Sequence, residues 1–263
     1  MKHLSHNPLT GRARRRTRTL NVLIACEESQ AECIAFRRLG HRAFSCDLQK
    51  ARYHDEWHIV GDVTPYLMGM THFKTADGKR HRLTHWDLII AHPPCTYLSK
   101  VGSPWLYKNP NRWATINGKR VQINAERWNA MKLAREFFMT CLNANVHYLA
   151  VENPIPMACA QLPKPSTFLH PSWFGVKYTK KTLYWLKNLP PIMPTIDYPN
   201  PKQYVRCSRG KYRSRTFPQV ADALARQWSA YILDELNKYV QIDWPPLALP
   251  SATICPPDRA RAD

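Results

Sequence analysis

Two short motifs each place a reactive side chain after an apolar run. The run 88–91 leads into His92-Pro93-Pro94-Cys95, and the run 147–150 leads into Val151-Glu152-Asn153-Pro154. Such runs are typical of buried parallel strands, and the ligand crevice of an open α/β sheet lies beyond the carboxyl ends of its strands. A thiol and a carboxylate delivered to one crevice indicate covalent chemistry on a ring, in which the thiolate attacks and the acid supplies a proton.

Strands and helices are predicted to alternate around these motifs. Apolar runs predict strands at 22–25, 42–46, 57–60, 86–91 and 147–151, with a short strand at 182–185. Helical spacing is shared by three sets of residues, which are Ala31, Ile34, Ala35 and Leu39; Ala130, Ala134, Phe137, Phe138, Cys141 and Leu142; and Val220, Leu224, Trp228, Tyr231 and Ile232. This alternation predicts an α/β protein with a doubly wound, mostly parallel sheet. The stretch 96–122 lacks clear periodicity and is predicted to be a long functional or disordered loop.

Length, charge and cysteine spacing narrow the class of protein. The 263 residues suit one α/β domain, placed at 20–241, with a basic flexible arm at 1–19 and a proline-rich tail at 242–263. The net charge of +19 favours nucleic acid as the partner. Eight cysteines without a Cys-x-x-Cys pair indicate neither a metal site nor a disulfide framework. With no signal peptide and no membrane-length apolar run, we expect a cytoplasmic protein without a membrane partner, and a monomer is favoured.

The two motifs resemble those of the DNA cytosine-5 methyltransferases. That family has a Pro-Pro-Cys motif after one strand, matched here by Pro93-Pro94-Cys95, and a Glu-Asn-Val motif after the next, which here reads Glu152-Asn153-Pro154. The similarity runs from about 21 to 188, with a weaker echo at 214–228. It implies the class I S-adenosylmethionine-dependent methyltransferase (Rossmann-like) fold, S-adenosylmethionine as methyl donor and double-stranded DNA as substrate.

The resemblance also implies roles for the motif residues. Cys95 would add as a thiolate to C6 of cytosine, on a loop that Pro94 stiffens, and a basic neighbour such as His92 would lower the thiol pKa from its usual value of about 8.5. Glu152 would stand protonated against N3, which requires that burial raise its pKa. Asn153 would brace the cysteine loop. The base that removes the C5 proton is not identified.

Acidic residues after the first strands are the candidates for holding the cofactor. Asp47 follows the second strand and would bind the ribose hydroxyls, while Leu48 would cover the adenine. Asp62-Val63 resembles the family's third motif, whose acid accepts from the adenine amino group. His92, directly after the fourth predicted strand, is a further candidate for binding the cofactor.

The loop after the first strand departs from the family because it has no glycine. It reads Cys26-Glu27-Glu28-Ser29, so Glu27 or Glu28 would grip the ammonium group of the cofactor and Ser29 would cap the following helix. The alternative is that these acids only compensate the dipole of that helix.

DNA contacts are predicted from basic and aromatic segments. Cytosine must leave the duplex to be reached, and the loop 96–122 is placed to close over the flipped base. The basic candidates for DNA binding are Lys100, Arg112, Lys180, Lys181, Arg209 and Arg213. Target recognition would be reduced to about 190–212, and Arg213-Ser214-Arg215-Thr216 stands where the family has a glycine-asparagine motif.

The sequence leaves two other functions open. Thymidylate synthases also attack a pyrimidine from a Pro-Pro-Cys motif, but they follow the cysteine with histidine, where this chain has Thr96. A non-catalytic DNA-binding protein on a decayed methyltransferase fold would explain the charge and the missing glycines.

Overall fold

The computed structural model describes residues 18–196, 205–206 and 215–240. The strands are β1 Asn21–Ala25, β2 Arg42–Asp47, β3 His58–Val60, β4 His72–Lys74, β5 Arg80–Arg82, β6 Leu88–Ala91, β7 Arg112–Ile116, β8 Lys119–Ile123, β9 Tyr148–Pro154, β10 Thr167–Leu169, β11 Tyr178–Thr179, β12 Thr182–Lys187 and β13 Val205–Arg206. The α-helices are α1 Ala31–Arg38, α2 Thr64–Leu67, α3 Ala125–Leu142 and α4 Pro218–Val240. Short 3-10 turns span Asp55–Trp57, Lys100–Leu106, Ala158–Ala160 and Pro171–Phe174.

A seven-stranded sheet forms the centre of the molecule, in the order β10-β12-β9-β6-β1-β2-β3. Adjacent strands of this sheet pair in parallel, except that β12 runs antiparallel to both β9 and β10. When the strands of this sheet alone are numbered along the chain, the order is 3-2-1-4-5-7-6 with the seventh strand reversed. This is the class I methyltransferase (Rossmann-like) arrangement, so the predicted fold class is confirmed.

Two apolar layers cover the sheet because its central strands are buried on both faces. On one face Leu23, Ile89 and Leu149 pack with residues of α2 and α3. On the other face Val22 and Ile90 pack with residues of α1 and α4. Alternate residues of each strand therefore point toward opposite helical layers, which decides the side on which each motif residue emerges.

The first helix turns a different side to the core than its apolar spacing predicts. The buried residues of α1 are Glu32, Cys33, Ala35 and Phe36. Of the predicted apolar face, Ala35 is buried, Ile34 is half-buried and Leu39 is exposed. The helix packs on α4 as well as on the sheet, and this second contact rotates its buried face. A glutamate is thereby drawn into the interior.

The stretch 96–122 contains regular secondary structure, whereas the sequence predicted one long functional or disordered loop. It contains the 3-10 turn Lys100–Leu106 and the antiparallel hairpin of β7 and β8. Asn117 and Gly118 at the hairpin tip both have positive φ, at 49° and 76°. An Asn-Gly pair flanked by alternating polar and apolar residues is a strong sequence signal for a hairpin, so this hairpin could have been predicted.

The motif strand β9 is longer than predicted. It continues to Pro154, because its last residues still pair with β12, Glu152 opposite Tyr184 and Pro154 opposite Thr182. Glu152 therefore sits within a strand and not after it. The antiparallel neighbour holds the carboxylate in a fixed place on the sheet.

Several predicted segments lie outside the described residues. These are the basic arm except for Arg18 and Thr19, most of the recognition segment 190–212, and the tail 242–263. The division into arm, domain and tail stays a prediction. Within the described parts, no helix has the length and apolar character needed to cross a membrane.

Candidate active site

The two motifs meet where the sheet changes direction. The chain winds one way from β1 to β2 and the other way to β6, which is the switch point where open α/β sheets bind ligands. Ala25 pairs with Ala91, and Ala91 pairs with Val151, so β1 and β6 end level with one another while β9 continues past them to Pro154. The His92 amide donates to the Ala25 carbonyl at 2.9 Å, which carries the first motif one residue past the strand.

The cysteine loop is tied to the segment that follows β9. The Lys100 amide donates to the Ile155 carbonyl at 2.8 Å, and the Met157 amide donates to the Leu98 carbonyl at 2.7 Å. The Cys95 carbonyl accepts from the Leu98 and Ser99 amides, which closes a tight turn after the half-buried thiol. Cys95 and Glu152 are thus carried by two segments that are held together directly.

Helix α3 supports the same loop from one side. Arg127 donates to the Thr96 carbonyl at 2.8 Å, and its guanidinium lies 4.2 Å from the centre of the Tyr97 ring. Gly102 fits closely here, because a Cβ at this position would come within 2.9 Å of the Thr96 carbonyl oxygen. Pro93 is buried and Pro94 is exposed beside the thiol.

His92 lies between two carboxylates on the α1 and α4 side of the sheet. Its Nδ1 is 3.4 Å from Glu152 Oε2, and its Nε2 is 3.1 Å from Glu32 Oε2. The first contact is a long hydrogen bond, while the second is an ion-pair contact whose angles fall short of a hydrogen bond. The side chain of Glu32 is fully buried and that of Glu152 is 16% exposed.

The charges in this cluster oppose the sequence prediction for Glu152. Burial alone lowers the pKa of His92, but Glu32 and Glu152 outweigh it and hold the pKa well above the usual value. Burial likewise raises the pKa of Glu152, but the hydrogen bond from His92 and the charge of Lys180 bring it below the usual value. The prediction that burial keeps Glu152 protonated was therefore wrong for the ligand-free protein. Both directions favour an imidazolium at His92 beside a carboxylate at Glu152.

Asn153 points to the opposite face of β9 and is fully buried. Its Nδ2 donates to the carbonyl of Pro154 at 2.9 Å. The side chain thus fixes the backbone that leads to Ile155 and Met157, the residues that contact the cysteine loop. Any bracing of that loop by Asn153 is indirect.

Glu27 caps helix α1, so it does not stand ready for a ligand. Its two carboxylate oxygens accept from the amides of Glu32 and Cys33, at 2.8 and 3.3 Å. These are orphan donors of the first turn. Burial and the nearby Glu32 raise the pKa of Glu27 to about 8. The predicted cap, Ser29, makes no such bond, because Gln30 precedes the helix and Glu27 supplies the acceptors instead.

The segment before α4 closes this side of the site. Thr216 Oγ1 donates to Glu32 Oε1 at 3.1 Å, and Arg215 donates to Glu28 Oε1 at 3.4 Å. The sequence left the role of this segment open. The structure uses it to hold the loop after β1 against the start of the last helix.

Three predicted cofactor residues lie at the ends of β2 and β3. Asp47 accepts from the Gln49 amide through one oxygen, and Leu48 beside it is 78% exposed. Asp62 accepts from the amide and hydroxyl of Thr64 at the start of α2 through one oxygen, Oδ1. Val63 is in the core, and its side chain is not available to a ligand.

The loop after β1 makes its first turn, next to the end of β2, without a glycine. Cys26 has φ of 60°, in the left-handed region, and its amide donates to the Cys46 carbonyl at 2.7 Å. Cys26 thus makes the turn that glycine usually makes at little cost. Burial raises the pKa of its thiol above the usual range.

A small cleft opens beside Glu152 on the side of α4. Its lining includes Lys180, Thr182, Tyr184 and Arg215. Lys180 was predicted as a DNA contact, but the structure places it in this cleft, close enough to affect the pKa of Glu152. Its neighbour Lys181 is exposed, and its ammonium lies 4.1 Å from the centre of the Phe168 ring.

The other predicted DNA contacts fall into two groups. Lys100 and Arg112 are exposed, the first on the turn after the cysteine loop and the second on the β7–β8 hairpin. The hairpin also presents Trp113, which is 54% exposed, with the guanidinium of Arg120 at 5.1 Å from its ring centre. Arg209 and Arg213 lie outside the described residues.

Sequence reasoning missed Glu32 and Tyr184. Tyr184 is buried on β12 opposite Glu152, and burial with the charges of Glu32 and Glu152 raises its pKa well above 10. The signal for Glu32 was its spacing, because it lies four residues before the fully buried Phe36 on the same helical face. A glutamate at that position is either unstable or paired.

The cluster predicts that the free energy of unfolding falls as pH rises. The folded-state pKa values of His92 and Glu27 are both raised, so each group stabilises the fold at low pH and loses this contribution as pH rises through its folded-state pKa. Glu152 acts oppositely, but only below its usual pKa near 4.5. We expect a loss of about 1–3 kcal/mol between pH 6 and 8, measured by urea unfolding. In Glu27→Gln the slope should flatten; a wild-type stability that increases over this range would contradict the assigned charges.

Comparison with known proteins adds little to this geometry. No protein-family model matches the chain, and no curated protein matches it in sequence. Among solved structures, one match is an Escherichia coli prophage protein described as a candidate DNA modification methyltransferase. It is 12% identical, with 64% of this chain and 46% of that chain covered and a TM-score of 0.35. The chain thus spans less than half the length of that protein, and the functional conclusion rests on the site itself.

Proposed function

We propose that this protein transfers a methyl group from S-adenosylmethionine to C5 of a cytosine in DNA. The observation that carries the proposal is the junction of the two motif segments. Cys95 and Glu152 are held at the carboxyl edge of neighbouring parallel strands, at the switch point of a class I fold, by direct backbone hydrogen bonds. A nucleophile and an acid in this position can act on two sides of one ring system.

Cys95 is the proposed nucleophile. As a thiolate it forms a bond to C6, and the electron pair of the C5–C6 double bond moves toward N3. C5 becomes nucleophilic in the resulting adduct. Pro93 is buried beneath the loop and Pro94 has a fixed φ, so the thiol is carried on a stiff segment.

Glu152 is the proposed acid at N3. One of its oxygens, Oε2, faces His92, while Oε1 is buried without a hydrogen-bond partner among the described residues. A buried acceptor without a partner is costly, so a ligand that donates to it or shares a proton with it is favoured at this position. Cytosine presents N3 and its exocyclic amine as such a pair of groups.

The acids at the ends of β2 and β3 suit the proposed cofactor. Asp47 has an oxygen left for a ribose hydroxyl, and the exposed Leu48 offers an apolar surface for adenine. Glu28 is the remaining candidate for the ammonium group, since Glu27 is used as a helix cap; it would exchange its contact with Arg215 for the ligand. When bound, S-adenosylmethionine would supply the methyl group that C5 attacks.

DNA is the proposed substrate because of the charge and the surface next to Cys95. The turn carrying Lys100 and the hairpin carrying Arg112 and Trp113 follow the cysteine loop directly in the chain. Exposed aromatic rings with basic neighbours suit stacking on bases and contact with phosphates. The net charge of +19 supports the same partner.

The test is to trap the covalent adduct. Purified protein is incubated with labelled S-adenosylmethionine and duplex DNA amplified with 5-fluorocytosine in place of cytosine, so that every sequence context is present. Fluorine at C5 blocks the final elimination, and the wild type should give an adduct that survives denaturation. Cys95→Ser should give none.

The matched control is Cys159→Ser, which removes another partly buried thiol and should leave adduct formation unchanged. If the wild type binds the DNA and forms no adduct, cytosine-5 chemistry is excluded and the decayed DNA-binding protein becomes the better explanation. An adduct with free 5-fluorodeoxyuridine monophosphate, and none with DNA, would instead favour a nucleotide enzyme.

A further inference from the structure

His92 holds a position that neither nucleophilic attack nor cofactor binding explains. Its ring lies between helix α1 and strand β9, its side chain is only 13% exposed, and each ring nitrogen faces a carboxylate. The shorter contact is to Glu32, which is buried inside the protein, and the longer one is to Glu152, at the proposed reaction site. One imidazole thus connects a permanently buried acid to the proposed acid of the reaction.

The proposed chemistry needs a proton that Glu152 does not carry at rest. Attack at C6 pushes an electron pair onto N3, and that nitrogen must receive a proton. In the ligand-free protein the hydrogen bond between His92 and Glu152 lowers the pKa of Glu152 and so favours its carboxylate form. The side-chain group in hydrogen-bond contact with Glu152 is Nδ1 of His92.

We propose that His92 is a positioning residue that stores this proton and delivers it through Glu152. This inference rests on the proposed function. As Cys95 sulfur bonds to C6, the Nδ1 proton of His92 moves to Glu152, and the carboxyl group passes this same proton to N3 and returns to the carboxylate form. The thiolate and the imidazolium are consumed together, and a neutral adduct and a neutral imidazole are formed.

The transfer reverses when the adduct breaks down. After a base removes the C5 proton, the pair of the C5–H bond forms the C5–C6 double bond, and sulfur leaves as a thiolate with the pair of the C6–S bond. N3 then gives up its proton through Glu152 to His92. Each turnover therefore returns His92 to the imidazolium form. No oxidant or further co-reactant is needed for these steps.

Charged and titratable groups surround His92 on each neighbouring element. They are Glu27 and Glu32 at the start of α1, Glu152 on β9, Tyr184 on β12, Lys180 before β12, and Arg215 before α4. Glu27 is occupied as a cap, and Tyr184 holds its proton too tightly to deliver it near neutral pH. Glu32 is anchored by Thr216 and keeps its carboxylate on the Nε2 side of the ring.

The experiment measures the rate of adduct formation on the 5-fluorocytosine DNA between pH 5.5 and 9. Wild type should slow at alkaline pH as His92 loses its proton. His92→Gln keeps a hydrogen-bond donor near Glu152 but has no proton to give, so we expect a rate roughly 10²-fold below wild type at pH 8. The difference should shrink toward pH 6, where Glu152 can take a proton from water.

Glu32→Gln is the second variant, because it leaves both His92 and Glu152 in place. Without the buried carboxylate the imidazolium is less stable, and the alkaline limit of the rate should move to lower pH. Urea unfolding of each variant shows whether it is folded. A uniform loss of rate at all pH values in His92→Gln would mean a structural role and would overturn the proposal, as would a wild-type profile in that variant.

A readout without DNA separates this proposal from the proposed function. Nitrogen NMR of the histidine ring should show His92 as an imidazolium in the ligand-free protein at pH 7.5, and its pKa should fall in Glu152→Gln. A neutral His92 at pH 7.5 overturns the storage of a proton whatever the DNA result. No adduct in wild type, with a charged His92, would instead reject the cytosine-5 function on which the delivery depends.

Discussion

Replacing Glu152 with glutamine should lower the rate of methyl transfer by roughly 10²–10⁴-fold, the range expected for loss of a positioned general acid. The glutamine side chain has nearly the same shape and can still donate a hydrogen bond to N3, but it cannot pass a proton. The measurement is transfer of labelled methyl groups to duplex DNA under single-turnover conditions. The affinity for DNA should stay within a few-fold of wild type, because the side chain is mostly buried beneath the surface.

The control for this variant is Glu126→Gln, which removes an exposed carboxylate in the first turn of α3. It should leave the rate unchanged. Glu152→Gln also removes the acceptor that stabilises the His92 imidazolium, so part of its effect should depend on pH. A rate equal to wild type in Glu152→Gln would rule out the acid at N3 and leave Cys95 without its proposed partner.

Replacing Trp228 with alanine should reduce the free energy of unfolding by about 3–5 kcal/mol, as expected for removing a buried aromatic side chain. Trp228 is the largest fully buried side chain of the described residues. Its Nε1 donates to the Pro190 carbonyl at 3.1 Å, and its ring contacts Tyr184 edge-on with 6.1 Å between the ring centres. Urea unfolding at pH 6 measures the change.

The matched variant is Trp113→Ala on the exposed hairpin. Its ring is 54% exposed and lies beside the guanidinium of Arg120 on the same hairpin, so stability should change by about 0.5 kcal/mol or less. The same variant should weaken DNA binding if the hairpin stacks on bases. Equal losses of stability in the two variants would contradict the assignment of Trp228 to the core.

Several features of the fold could be predicted because they depend on local patterns. Continuous apolar runs such as Val22 to Ala25 and Leu88 to Ala91 are buried on both faces, which is what a central parallel strand requires. The hairpin at Asn117 and Gly118 also had a local signal, although the lack of helical periodicity hid it. The antiparallel strand β12 had only a short apolar run, and its pairing with β9 could not be inferred from that run.

The candidate site was predictable only in part. The placement of Cys95 and Glu152 at one edge followed from the strands β6 and β9, since parallel strands end at one edge of a sheet, although Glu152 proved to lie within β9 and not after it. The capping of α1 by Glu27 in place of Ser29 depends on how the loop after β1 turns at Cys26, which has an unusual φ. That turn is set by the bonds of the loop to β2, and those contacts are distant in sequence.

By itself, the sequence determined the α/β class, the order of the motif strands and the placement of a thiol and a carboxylate at one edge, because each depends on runs of neighbouring residues. Only the tertiary structure decided the charges at that edge. Packing α1 on α4 buries Glu32 against His92, and the imidazolium held there keeps Glu152 ionised. A pKa depends on burial and on charges brought close by folding, and residues 32, 92 and 152 become neighbours only when the sheet and both helices are assembled.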